Sequence, residues 1–237
     1  MERRHFIVGA ASVAAALPFA ARAQGAKLKI ATIGAGREGG ALGTVFAKAG
    51  YPVMFSSRNP DTLKDLVASA GPNAKAGTVA EAVAFGDVVL IVVPYTAVEQ
   101  IAKDYGAALA TKQLVIDVSN PIARRDGEEF VKKINDQGGA GLVAAKLFPG
   151  AHLVRAFNAI GSGGLAAAAH RSGAPLGVPM TSDDPKAIEV ATKLIKDVGF
   201  EAVLVGGMAK GKYLVPGTPL GGDHTPDEIR KIAASLS

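Results

Sequence analysis

From Lys27 onward, apolar residues fall into short, nearly unbroken runs separated by longer segments where they recur every three or four positions. Runs without polar alternation suit strands buried on both faces, and the periodic segments suit the helices that cover those faces. The pattern predicts strands at Leu28–Ile33, Pro52–Ser56, Ala74–Thr78, Val88–Val93, Leu114–Val118, Leu153–Ala156, Leu176–Met180 and Ala202–Val205. Helices are expected at Arg37–Ala49, Asp61–Ala70, Ala97–Lys103, Asp126–Asp136, Pro185–Val198 and Pro226–Leu236. Asp184-Pro185 supplies an N-cap and a proline for the first turn of one of them, and Gly199 supplies its stop. Asp223-His224 looks like the start of the last. Strand and helix in alternation mean an α/β fold with a doubly wound parallel sheet. No repeat or low-complexity linker interrupts residues 24–237, which read as one domain.

Composition narrows the chemistry. Of 237 residues, 49% are hydrophobic and 20% charged, enough apolar material for a sizeable core. There is no cysteine, hence no disulfide, thiolate metal site, thiol nucleophile or lipid-modified cysteine. The formal charge of +5 is inflated by Arg3, Arg4 and Arg22, opposed only by Glu2; the remainder holds 23 basic and 20 acidic residues. The lysines are scattered and no basic stripe is interleaved with aromatics, which argues against nucleic acid as a partner.

Residues 1–23 read as an address. Arg3 and Arg4 form a basic start, Val8 to Ala21 is an uncharged alanine-rich stretch, and Ala21-Arg22-Ala23 is a small-residue cleavage site. The uncharged stretch is shorter than the ~20 residues a spanning helix needs, so no stable membrane anchor is expected after cleavage. Arg3-Arg4 followed by Phe6-Ile7 matches the twin-arginine pattern of the route that exports folded proteins, giving a periplasmic or secreted location. An ordinary secretory leader with two adjacent arginines is the alternative. A protein that loads a dinucleotide favours the folded route, because threading an unfolded chain would strip the cofactor.

The first strand runs directly into Gly34-Ala35-Gly36-Arg37-Glu38-Gly39, and a helix follows. In this G-x-G-x-x-G, Gly34 permits the tight turn, Gly36 admits the pyrophosphate, and Gly39 lets the helix pack on the strand. The helix N-terminal amides and dipole then hold the phosphates. Glycines are common here, so the hexad's weight lies in its place between strand and helix. NAD binders put an acid ~20 residues further on, for the ribose hydroxyls. That place reads Ser56-Ser57-Arg58-Asn59, with no carboxylate before Asp61. Arg58 can grip a 2′-phosphate bidentately with the Ser57 hydroxyl beside it, so the residues favour NADP.

Several segments together resemble the deazaflavin (coenzyme F420)-dependent NADP reductases and the related oxidoreductase domain of STEAP-type metalloreductases. They are IGAGREGGALG (33–43), SSRNP (56–60), VVLIVVP (88–94), VIDVSNP (115–121) and LFPGAHLVRAFNAIG (147–161). VPMTSDDPKAIEVATKLIKDVGFEAVLVG (178–206) and YLVPGTPL (213–220) extend the likeness to most of the chain. The resemblance implies a Rossmann fold with a small C-terminal appendage and NADP(H) extended across the strand ends. It carries the phosphate cradle onto Ala35, Gly36, Arg37 and Glu38, beside the Gly34 and Gly39 read from the hexad, and the 2′-phosphate grip onto Ser57 and Arg58, with Asn59 next to them as a further cofactor-binding candidate. Val93 and Pro94 match the path toward the nicotinamide, while Asn120, Pro121, Ala156 and Asn158 match segments near it. Loop punctuation for the prolines and a turn brace for Asn158 remain open. The chain departs from the family in its short, charged, helix-like tail after Leu220, in lacking the haem-bearing membrane domain of the STEAP proteins, and in its leader.

No two of His152, His170 and His224 have metal-ligand spacing on one element, and no metal site is expected. His170, behind the alanine-rich segment after Gly161, either approaches the acceptor or lies on the surface. Gly161-Ser162-Gly163 lacks the spacing of a nucleophile elbow. Hydride transfer needs no protein nucleophile, and no catalytic residue is assigned. The reading is therefore an NADPH-dependent oxidoreductase with a small-molecule redox acceptor, a flavin or deazaflavin, with onward relay to a metal ion as one variant. A non-catalytic dinucleotide-binding module and a small imine or keto reductase are the rivals, the last weakened because such enzymes usually add a helical dimerisation domain. The sequence leaves the oligomeric state open, a homodimer included. One outcome follows from the leader alone. Replacing Arg3 and Arg4 together by lysine should leave uncleaved precursor in the cytoplasm, read by fractionation; export with cleavage after Ala23 would assign the general secretory route.

Overall fold

The computed structural model describes residues 27–236, so the leader inferred for residues 1–23 lies outside the described residues. One eight-stranded sheet runs through the molecule in the order β3-β2-β1-β4-β5-β6-β7-β8. Its strands are β1 (Ile30–Ile33), β2 (Val53–Ser56), β3 (Ala74–Gly77), β4 (Val88–Ile91), β5 (Leu114–Asp117), β6 (Leu153–Arg155), β7 (Gly177–Thr181) and β8 (Glu201–Gly206). Six of them are parallel, as the apolar runs imply. The strand order reverses between β1 and β4, and in open α/β sheets ligands settle beyond the strand ends at such a point.

The doubly wound, parallel sheet expected from the sequence is present, with one antiparallel pairing toward its edge. β7 pairs with β6 antiparallel, and β8 follows β7. Between β6 and β7 the chain forms only the seven-residue α8 (Ser162–Ala168). That helix is too short to carry the chain back along the sheet, so β7 starts from the carboxyl end. Among the described residues, no helix is long and apolar enough to cross a membrane.

Helices cover both faces: α1 (Arg37–Lys48), α2 (Lys64–Ala70), α3 (Val79–Phe85), α4 (Val98–Leu109), α5 (Ala123–Asp126), α6 (Glu128–Asp136), α7 (Ala140–Leu147), α9 (Pro185–Asp197) and α10 (Pro226–Ser235). Sequence periodicity misses α3 and α7. The first announces itself only by a capping box, in which Thr78 accepts from the Glu81 N–H and Glu81 accepts from the Thr78 N–H. The helix expected over 126–136 is split at Gly127, whose φ of +91° ends α5. The last helix starts not at Asp223-His224 but at Thr225, again through a capping box, with Glu228. His224 instead accepts the Gly177 N–H (3.0 Å) and extends the sheet edge.

Alternate strand residues feed two cores. Ile30, Phe55, Leu90 and Ile116 face Leu42, Phe46 and Leu194, while Ala31, Ile33, Met54 and Val89 face Ala82, Val98 and Ala144 on the other side. Polar residues enter this interior mainly at the carboxyl ends of the strands. Asp117 and Arg155 are neighbours in the β5–β6 register, both 0% exposed, and form an ion pair. Burying two charges is tolerable only because each is paired and hydrogen-bonded, and removing one partner strands the other. Arg155→Met should therefore cost about 3–5 kcal/mol in urea denaturation. Adding Asp117→Asn should restore about 1 kcal/mol or more, since no buried charge then remains.

Candidate functional site

The carboxyl ends of β1, β2 and β4 build the first half of a groove. β1 ends in a turn that only glycine can make: Gly34 lies at φ +96°, and a Cβ there would strike the Val92 carbonyl oxygen. The Ala35 N–H donates to Ser56 O (3.1 Å) and ties the turn to β2. A Cβ on Gly39 would strike the Gly34 carbonyl oxygen, so α1 can approach the turn this closely only without a side chain. Gly36 differs. A Cβ there would have nothing within 4 Å. It faces open space in front of the first-turn N–H groups of α1, which have no intrahelical acceptors.

That space continues into a cavity of 730 Å³ lined by Gly34–Gly36, Ser57, Arg58, Thr62, Val93 and Pro94, among others. No carboxylate among the described residues lines it. The Ser57 N–H donates to Gly77 O (3.2 Å) and its hydroxyl accepts the Asn59 N–H (3.1 Å), which fixes the loop beneath Arg58. The next acid along the chain, Asp61, lies beside Lys64 at 3.8 Å. Arg58 is exposed and forms no ion pair among the described residues.

A second cavity, of 580 Å³, lies on the other side of Gly36, Val92, Val93 and Pro94, which line both. Its floor is set by the buried ion pair. Arg155 donates to Ser119 O (2.9 Å) and Asn120 Oδ1 (3.1 Å), and Asn120 Nδ2 donates to Asn158 O (2.7 Å). Asn158 Nδ2 donates to Asn120 Oδ1 (3.0 Å) and to Leu214 O (3.0 Å), tying the loops after β5 and β6 to the C-terminal segment. Phe157 turns the chain at φ +63°, an uncommon conformation for a bulky residue, held because its ring packs edge-on against Phe46 and Phe200. Asn158 Oδ1 is left buried beside the cavity with no partner among the described residues.

Most residues expected at the site thus gather along one groove. Gly34, Ala35, Ser57 and Arg58 line the first cavity, Arg37, Glu38, Gly39, Asn120 and Asn158 the second, and Gly36, Val93 and Pro94 both. Three do not line either. Ala156 is fully buried in the core, Pro121 is buried beside the loop, and Asn59 points to solvent while its N–H braces Ser57.

Arg124, Arg125, Ser162 and Pro216 also line the second cavity and escaped sequence reading. The two arginines sit in and beside a single helical turn, too short for periodicity to register, and Pro216 arrives from a distant segment. Asp117 and Arg155 escaped as well, because the predicted strands contain them without showing that β5 and β6 set them side by side. His170 packs against Gly199, and His152 pairs with Asp184 at the amino end of β6, so neither lies in the groove. Glu38 is unusual: burial pushes its carboxyl up to about 7, against the lowering pull of the Ser162 N–H and the Arg37 charge.

Residues 29–121 match the family described as NADP oxidoreductase, coenzyme F420-dependent. Among solved structures the chain is similar to the hypothetical protein SMa0349 of Sinorhizobium meliloti, at 29% identity and a TM-score of 0.72, covering 84% of this chain and 95% of that one. It is similar in fold to a candidate F420-dependent NADP-reductase from Arthrobacter sp. FB24 (20% identity, TM-score 0.65, 78% and 87% covered). It also shares the fold of an imine reductase from Myxococcus stipitatus (16% identity, TM-score 0.55), covering 77% of this chain but only 56% of that one. No match was found among curated proteins. Through residues 29–121, the glycine turn and the strands around it, this chain is similar to the coenzyme F420-dependent NADP oxidoreductases.

Proposed function

We propose that this NADP-dependent oxidoreductase exchanges hydride between NADP(H), extended along the groove, and a flavin or deazaflavin seated in the second cavity. The observation that carries the proposal is the continuity of the two cavities through Gly36, Val92, Val93 and Pro94. The residues present fit a dinucleotide. Gly36 leaves room where a phosphate would press against the α1 amides. The first cavity offers a free guanidinium and no carboxylate, which suits a 2′-phosphate. The orphaned Asn158 Oδ1 offers an acceptor at the far end. The bound cofactor supplies the hydride. The chain's part is to hold the phosphates, orient the two partners and keep water from between them.

A flavin-relayed metal ion extends the same proposal. A non-catalytic module or a small imine or keto reductase would use the same first cavity and differ in the second. Titration with FMN, FAD, riboflavin and a deazaflavin, followed by NADPH oxidation, separates them. A spectral shift with turnover supports the proposal. NADPH binding without any flavin response, but with reduction of a cyclic imine, would overturn it.

Two variants test the cofactor half. Gly36→Val should abolish binding of both NADP and NAD in a folded protein, because the new side chain fills phosphate space without touching its neighbours. Unchanged calorimetric affinity would remove the cradle assignment. Arg58→Ala should weaken NADPH by about ten- to a hundredfold, since a charge-assisted hydrogen bond is worth ~1.5–3 kcal/mol. NADH affinity should barely change, and the salt dependence of NADPH binding should flatten. Equal losses for both cofactors would make Arg58 a loop brace.

A further inference from the structure

Four charged residues line the second cavity: Arg37, Arg124, Arg125 and Glu38. Guanidiniums keep their protons at any working pH, so Glu38 is the group there able to take up or release one. Its position is peculiar. It occupies the first turn of α1, beside the space that Gly36 leaves open, among the amides that would hold a diphosphate. One part of its carboxyl accepts the Ser162 N–H from the start of α8, while Oε1 is buried with no partner among the described residues. An ionised carboxylate with an orphaned oxygen is costly, and a protonated carboxyl is far less so.

We infer that docking of the dinucleotide's diphosphate protonates Glu38, so that cofactor binding takes up one proton from solvent and holds it on the acceptor side of the groove. The inference rests on the dinucleotide reading above. Two anions cannot share one helix terminus without mutual repulsion, and the carboxyl is the partner that can neutralise. The proton goes onto the Glu38 carboxyl and no other bond changes. Its location matters, because an acceptor that gains a hydride also requires a proton.

The groups facing Glu38 sharpen the prediction. Arg37 lies on α1 itself, and Arg124 and Arg125 lie across the cavity. α8 carries no charged side chain, but Asp223 of the tail comes within 3.5 Å of where a Cβ on Gly164 would sit. α2 meets the other flank of α1 through Leu66, at Gly40. With the free carboxyl raised to about 7, it is mostly neutral below pH 6 and mostly ionised at pH 8. Uptake should therefore be small at pH 6 and large at pH 8. Affinity should fall above pH 7, where the free carboxyl is ionised.

Calorimetric titration of the whole protein with NADP+ at pH 8, in phosphate and in Tris, reads the proton count directly. At that pH the 2′-phosphate, with a pKa near ~6, is already fully ionised and contributes little. The parent should take up about half to one proton per dinucleotide, and its Kd should weaken by up to roughly tenfold per pH unit above 7. Glu38→Gln should bind without uptake and with a flat pH profile. Zero uptake in a binding parent, or uptake undiminished in Glu38→Gln, would overturn the inference. A parent that fails to bind NADP+ at any pH would instead overturn the dinucleotide reading on which it rests. The buffer comparison on the parent alone decides the matter should the variant not fold.

Discussion

The groove depends on a charge pair that never touches it. Asp117 and Arg155 lie side by side at the carboxyl ends of β5 and β6, out of contact with water. Such a pair is poor value as a source of stability. Its use here is geometric. The planar guanidinium reaches Asp117, Ser119 O and Asn120 Oδ1 at once, fixing two loops that have no regular structure of their own. Asn120 and Asn158 then exchange hydrogen bonds across the gap and reach the tail at Leu214. Three chain segments far apart in sequence acquire one fixed arrangement at the second cavity.

The first cavity is built differently. Its walls come from backbone approach, with glycines at Gly34 and Gly39 allowing turn and helix to close on each other and Gly36 keeping a gap in front of the helix. Backbone amides and a dipole would hold phosphate whatever dinucleotide it belonged to, so under the proposed function discrimination falls to the short loop that carries Ser57 and Arg58. That division explains why the loop is itself braced, Ser57 by Gly77 and Asn59 by Ser57, while the Arg58 side chain projects exposed.

How much of this was legible follows from the kind of signal each part leaves. Strands buried on two faces leave apolar runs, which made the six buried strands readable; the edge strands β3 and β8, half-buried or exposed, were found within a few residues of their ends from small or β-branched residues next to turn signals. Their direction left no trace, because Gly177–Thr181 is equally apolar whichever way it runs, and antiparallel β7 could not be foreseen. The glycine hexad was legible because its spacing is imposed by sterics. α7 was not, since an element packed on most sides, with Gly141 against the Met208 carbonyl, has no polar face to create a period. Arg155 was hidden by its own success: a charged residue is read as surface, and only the fold shows that its partner is adjacent.

The two ends of the groove therefore place different demands on their ligands. At the Arg58 end a single cation lies in a cavity without carboxylates among the described residues, which under the proposed function favours a ligand with one added phosphate. At the other end three guanidiniums and one carboxyl raised by burial line the same cavity, and with Arg125 paired to Asp126 the lining still keeps a net positive charge, although residues 24–237 are only mildly basic. A cavity of that sign concentrates anionic ligands and disfavours a cationic one such as a protonated imine. This weighs toward an acceptor bearing phosphate or carboxylate groups, as flavin nucleotides do, and away from the small imine substrates of proteins that share the fold.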